Sequence, residues 1–227
     1  MGVNTERFLE IQKSLEEKNV ALVAVSKTKP VEDIMELYQW GQRDFGENYV
    51  QELVDKQAQL PKDIRWHFIG HLQTNKVKYI ASFVHLIHSV DSFKLLKEIN
   101  KQAQKAGRII DVLLQVHIAQ EETKFGLDEK EVSEVLKTNM DQPGQLENTR
   151  IVGLMGMASF SDDENVLRGE FDYLKLQFDK YAKLQAPNCK LQTLSMGMSS
   201  DYQIAIEEGS NMVRIGSLLF GERNYSK

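Results

Sequence analysis

The chain has 227 residues, of which 41% are hydrophobic and 27% charged, with four prolines and one cysteine, enough apolar material to bury a sizeable core. Its 28 Lys and Arg against 33 Asp and Glu give a net charge of −5, which argues against nucleic acid as the main partner. No apolar stretch nears the roughly 20 residues of a membrane span, and a lone cysteine forms no internal disulfide, so a cytoplasmic protein without a membrane partner is expected.

Residues 1–19, MGVNTERFLEIQKSLEEKN, read as a polar amphipathic helix without the apolar core of a secretory signal. Glu6 also stands where a myristoylation signal has Ser or Thr. Eight short β-rich runs follow: ALVAVS (21–26), DFGEN (44–48), WHFIG (66–70), HLIHSV (85–90), DVLLQV (111–116), RIVGLMGM (150–157), LQTLSMG (191–197) and NMVRIGS (211–217). Helical periodicity fills the gaps. VEDIMELYQWG sets Ile34, Leu37 and Tyr38 on one face, SFKLLKEINKQAQKAG sets Phe93, Leu96 and Ile99, and EFDYLKLQFDKYAKL sets Phe171, Leu174 and Phe178. Asp91 or Ser92 can cap the second of these helices and Gly107 can end it. The stretch KTNMDQPGQLENTR (137–150) reads as a helix end and a surface loop. Cys189, in APNCKL, sits where a loop enters a strand and is expected to be inert. The NYS sequon at 224–226 carries no meaning for a cytosolic chain.

Strand alternating with helix implies a parallel sheet, and eight repeats close a (β/α)8 TIM barrel. The competing open sheet usually carries GxGxxG after its first strand, and this first strand ends in SKTKP instead. Residues 1–227 read as one barrel domain, with no Gly-, Ser- or Pro-rich linker.

A barrel places its site at the C-terminal strand ends. Lys27 ends the first strand, Asn48 follows the second, His71 the third, Ser89 and Asp91 the fourth, and His117 the fifth. Met155 and Met157 end the sixth, SMGMSSD follows the seventh, and RIGS ends the eighth. Barrels often bind phosphate with their last two loops. Ser199 or Ser200 stands where an N-cap belongs, with free amides behind it, and Gly216 with Ser217 lets the backbone approach an anion. Capping and turn chemistry explain either loop alone; the two together favour phosphate.

A lysine in a barrel mouth opposite a phosphate site suits pyridoxal phosphate. The amine must be neutral to attack an aldehyde, a form that desolvation and nearby positive charge favour. Lys29 is the weaker choice because Pro30 forces it into the turn; a surface lysine at a strand end is the bland alternative for Lys27. Arg214 could donate to a pyridine nitrogen and oppose its protonation; an ion pair with Glu207 or Glu208 is its structural alternative. Histidine spacing, His67 with His71 and His85 with His88, gives no metal pattern, and no metal is expected.

The motifs AVSKTKP, FGENYVQE, WHFIGHLQTNK, ETKFGL, GLMGM, LSMGMSSD and VRIGSLLFG run in order from residue 21 to 222. Together they resemble the pyridoxal phosphate homeostasis proteins, relatives of the alanine racemase N-terminal barrel of fold type III. The resemblance implies that Lys27 carries pyridoxal 5'-phosphate as a Schiff base and that Asn48 lines the cofactor pocket. It implies that Ser199, Gly216 and Ser217 hold the phosphate, that Arg214 approaches the pyridine nitrogen, and that His67 and Met155 line the pocket. It further implies a role in vitamin B6 homeostasis without robust turnover, apo forms of pyridoxal phosphate enzymes as recipients, and a monomer. Alanine racemases take a tyrosine base from a second domain of a partner subunit, and this chain ends at Lys227. A racemase-like enzyme is the alternative, and a lysine Schiff-base aldolase for a sugar phosphate is a third reading.

Overall fold

The computed structural model describes residues 2–121, 125–142, 144–183 and 188–221. The sequon, Pro143 and the first three residues of ETKFGL lie outside the described residues. Eight parallel strands close into a barrel in sequence order, β1 through β8, with β8 returning to β1. They are β1 (Ala21–Val25), β2 (Asp44–Glu47), β3 (Arg65–Phe68), β4 (Leu86–Val90), β5 (Ile110–Gln115), β6 (Thr149–Met155), β7 (Cys189–Ser195) and β8 (Met212–Ile215). Each coincides with a run expected from the sequence.

Helices α1 (Thr5–Glu17), α2 (Val31–Gln39), α3 (Val50–Gln59), α4 (Phe93–Lys105), α5 (Glu129–Asp141), α6 (Glu164–Ala182), α7 (Tyr202–Glu207) and α8 (Ser217–Phe220) supply the outer ring. The caps explain the boundaries. Ser92 accepts the amide of Leu95 at the start of α4, and Gly107 leaves its end with φ +63°. Asp128 and Glu131 form a reciprocal capping box on α5. The third crossover differs from expectation: a 3₁₀ turn, Thr74–Tyr79, replaces an α-helix, and Val77 is its one buried residue. So short a segment with one apolar anchor does not sustain a longer helix.

The main core lies between barrel and helices. Ala24, Phe45, Phe68, Ile87 and Leu114 on the strands join Phe8, Leu37, Leu53, Leu96 and Phe171 on the helices in one cluster, all fully buried. A separate cluster of Leu86, Leu113 and Met155, with Met212 and Met157 against it, fills part of the barrel interior. Cys189 opens β7 and is buried, and burial pushes its thiol up to about 11, the inert state expected of it. No helix among the described residues is long and apolar enough to cross a membrane.

Candidate functional site

A cavity of about 380 Å³ opens at the C-terminal ends of β1, β2, β7 and β8. Lys27, Asn48, Ser199, Arg214, Gly216 and Ser217 all line it, joined by Lys29, Met157, Phe160 and Met198. All six site residues singled out from the sequence are therefore brought together. His67 and Met155 are not among the lining residues. His67 is buried in a polar series below the cavity, and Met155 packs on Leu86 and Leu113.

Lys27 is the second residue past β1 and is half-buried. The turn that carries it is tied on both flanks by α3. Lys56 donates at 2.7 Å to the Ser26 carbonyl, and Glu52 accepts the Thr28 amide at 2.6 Å. Lys56 also donates at 2.7 Å to both Glu47 and Glu52. Ser26 Oγ adds a 2.6 Å bond to Glu47, whose side chain is wholly buried. Burial pushes the Glu47 carboxyl up to about 7, against the pull of Lys56 and Ser26. Thr28 takes a left-handed φ of +65°, a conformation that β-branched residues avoid and surrounding structure must impose. Lys29 sends its ammonium the other way, to the carbonyls of Phe220 (2.6 Å) and Gly221 (3.3 Å) at the end of α8.

The loops after β7 and β8 face Lys27 across the cavity. Gly197 has φ +95°, and a Cβ there would lie 2.6 Å from that of Ala205, so glycine is required. The sequence placed an N-cap at Ser199 or Ser200; the cap of α7 is instead Asp201. A turn precedes the helix, closed by Met198 N to Asp201 Oδ1 at 2.5 Å and Tyr202 N to Met198 O at 2.8 Å. The Ser199 and Ser200 amides consequently find no protein acceptor among the described residues. Gly216 caps α8 and donates its amide to Ser199 Oγ at 3.2 Å, linking the two loops. A Cβ at Gly216 would press on the Val25 carbonyl at 3.2 Å. Amides at the starts of both short helical turns thus border one cavity, the donor set that a phosphate needs.

Arg214, on β8 and 4% exposed, forms the floor. Nη1 donates to Ser195 O (2.8 Å) and Ser195 Oγ (2.7 Å), and Nη2 donates to Gly156 O (3.1 Å). The alternative pairing with Glu207 or Glu208 does not occur: both carboxylates bind Arg168, at 2.6 and 2.9 Å. Burial lowers the Arg214 guanidinium to about 10, with Asp201 pulling the other way, so it stays charged at neutral pH. Asn48 Oδ1 is buried without a partner among the described residues, an acceptor without a donor from the protein. A lysine amine, an unused acceptor, a fixed guanidinium and two amide-rich loops fit a phosphorylated pyridine aldehyde.

Sequence spacing missed one cluster. Asp44, His67 and His85 bring ligand atoms within 4.8 Å of one another at the opposite end of the barrel. Arg65 already holds the Asp44 carboxylate at 2.7 and 2.5 Å, and His67 uses both ring nitrogens in hydrogen bonds. A guanidinium on the acidic ligand opposes a second cation there.

The family described as "Alanine racemase, N-terminal domain" matches residues 5–224. The chain is 42% identical over 226 residues to the pyridoxal phosphate homeostasis protein of Aquifex aeolicus, covering 96% of each. It is 43% identical over 219 residues to the human protein of that name, covering 91% of this chain and 78% of the relative. Among solved structures it is similar to PipY of Synechococcus elongatus with pyridoxal phosphate bound (37% identity, TM-score 0.83), covering 95% of this chain and 99% of PipY. Alanine racemase of Bartonella henselae shares the fold at 18% identity, with a TM-score of 0.67 over 96% of this chain and 59% of the racemase.

Proposed function

The chain belongs to the alanine racemase N-terminal domain family, has close relatives named as pyridoxal phosphate homeostasis proteins, and on that premise we propose that it binds pyridoxal 5'-phosphate and serves intracellular vitamin B6 balance. The observation that carries this reading is the convergence of Lys27, Arg214 and the loops of Ser199 and Gly216 on one cavity. The PLP-bound state of PipY supports the choice of ligand.

When bound, the cofactor supplies an aldehyde for an amine and an electron-withdrawing ring. Lys27 is the amine that takes the aldehyde as a Schiff base, releasing water. Lys56 and Glu52 keep its turn in place through the Ser26 carbonyl and Thr28 amide. The amides of Ser199, Ser200 and Ser217 donate to the phosphate, and Ser199 Oγ holds the two loops together. Arg214 donates to the ring nitrogen and, as a permanent cation, opposes a proton there. Asn48 accepts from a ring hydroxyl through its unpartnered Oδ1. With the ring nitrogen unprotonated, electron withdrawal is restrained, and the loaded protein is a carrier rather than a robust catalyst. Relatives named for homeostasis support that distinction.

We read residues 1–227 as one domain, acting as a cytoplasmic monomer that releases cofactor to apo-enzymes. Titration of the purified protein with pyridoxal phosphate should give one equivalent of visible absorbance, lost in Lys27→Ala. Amino acids incubated with the loaded protein should keep their α-protons. Sustained exchange at an enzymatic rate would make the racemase-like alternative the better reading. Sedimentation at two concentrations tests the monomer, and cofactor transfer to an apo-enzyme tests delivery.

A further inference from the structure

Barrel strands send alternate side chains inward, where branched apolar residues usually fill the space. Here His67 on β3, His88 on β4 and Ser195 on β7 are buried, at 1%, 0% and 0% exposure. They bond in series. His67 Nε2 lies 3.0 Å from Asp44 Oδ1, and His67 Nδ1 lies 2.9 Å from His88 Nε2. His88 Nδ1 lies 3.1 Å from Ser195 Oγ, which lies 2.7 Å from Arg214 Nη1. β4 and β7 are not neighbours in the barrel, so the His88–Ser195 link crosses its interior. The series runs from Asp44, the first residue of β2, to Arg214 in the cavity at the other end.

The two ends fix its direction. A guanidinium only donates and an ionised carboxylate only accepts. Asp44 is ionised: burial alone would raise its carboxyl, but hydrogen bonds from His67 and Arg65 outweigh burial and hold it well below the usual range. Arg214 gives a hydrogen to Ser195 Oγ, whose own hydrogen goes to His88 Nδ1. His88 then carries its proton on Nε2 and gives it to His67 Nδ1. His67 carries its proton on Nε2 and gives it to Asp44. With neutral rings, reversing any one link sets two donors or two acceptors face to face.

We propose that Asp44, His67, His88 and Ser195 form a one-way hydrogen-bond relay that positions the Arg214 guanidinium in the cavity. A serine hydroxyl left to itself can turn its hydrogen toward the arginine. With His88 taking that hydrogen, a lone pair of Ser195 faces Nη1, and the aligned series strengthens each bond. Nη1 is thereby committed to Ser195, while Nε–H and the second hydrogen of Nη2 have no protein acceptor among the described residues. These are the hydrogens that a ligand ring would meet. The identity of that ring, though not the relay itself, rests on the cofactor reading above.

The first test needs no cofactor. Histidine-selective ¹⁵N NMR of the apoprotein near pH 7.5, about a unit above the ordinary histidine value, should show Nε2–H tautomers for His67 and His88. An Nδ1–H tautomer at either overturns the direction. The Arg214 Nε resonance should move in Asp44→Ala and stay in Asp111→Ala. Asp111 makes the matching control, since it pairs across strands with Arg150 as Asp44 does with Arg65. The second test is cofactor titration. Ser195→Ala, His88→Leu and Asp44→Ala should each shift the absorption maximum of bound cofactor and weaken affinity roughly fivefold, the scale of one hydrogen bond. His88→Gln, whose amide both accepts and donates, should restore the wild-type spectrum. Thermal melts identify folded variants; if His88→Leu is not folded, Ser195→Ala and Asp44→Ala carry the test. Unchanged spectra and affinities in the folded relay variants, or an equal shift in Asp111→Ala, overturn the proposal. If wild-type protein binds no cofactor while the NMR results hold, the relay stands and the cofactor reading fails.

Discussion

Replacing Lys56 by methionine removes an ammonium while keeping most of its stem. Three 2.7 Å hydrogen bonds go with it, to the Ser26 carbonyl, Glu47 and Glu52. The Lys56 side chain is 6% exposed and that of Glu47 0%, so water does not replace the lost partner. Removing one member of such a buried pair costs about 3–5 kcal/mol. The cost depends on pH in a defined direction. Glu47 sits at about 7 in the folded protein against an ordinary 4.5, so the folded state binds this proton more tightly than the unfolded state. Stability from this group is therefore highest in acid and falls as pH rises from about 4.5 to about 7, by about 1.4 kcal/mol per unit. Without Lys56 its pull on the carboxyl disappears, the folded value climbs further, and the loss continues above neutrality. Urea unfolding of Lys56→Met, followed by fluorescence of the buried Trp66, should show about 3–5 kcal/mol of destabilisation near pH 8.5. Near pH 5.5 the figure should be about 1–2 kcal/mol smaller. Trapping of cofactor on Lys27 should weaken in parallel, because Ser26 and its neighbours lose their anchor. A cost below about 1 kcal/mol at pH 8.5, or a cost larger in acid, would mean that Lys56 and Glu47 are not coupled as a buried pair.

Three other outcomes are expected. Gly197→Ala forces a Cβ within 2.6 Å of Ala205 at φ +95°, so it should destabilise by about 1–2 kcal/mol or more in thermal melts and weaken phosphate-dependent binding. Ser199→Ala removes the acceptor of the Gly216 amide. It should raise the Kd for pyridoxal phosphate roughly fivefold, with little change for the unphosphorylated aldehyde. Cys189, with its thiol pushed up to about 11, should react slowly with a disulfide reagent at pH 8 until the protein is unfolded, when the rate should rise sharply.

The barrel was legible because its signals are local. Most strands are short apolar runs and the long helices carry apolar stripes, and the caps at Ser92 and Gly107 fall where their chemistry demands. Lys27, Asn48 and the 197–217 loops were legible because a barrel delivers strand ends to one face. What escaped needed three dimensions. The start of α6 at Glu164 lies in the polar run Asp162–Asn165, which carries no apolar periodicity, and only the Asp163 cap marks it. The cap of α7 moved to Asp201 because a turn closed by its own side chain comes first. His67 reads in sequence as one of a pair with His71, yet it bonds Asp44 and His88, each more than 20 residues away. The clamp from Lys56 to Ser26 likewise joins residues 30 apart, a contact that no linear pattern encodes.

Borohydride reduction of the cofactor-loaded protein, followed by peptide mass mapping, locates the amine that holds the cofactor. A single pyridoxyl-phosphate adduct is expected, on Lys27, with Lys29 and Lys56 unmodified. An adduct at another lysine, or cofactor that washes away unreduced, would rule out Lys27 as the cofactor-bearing amine.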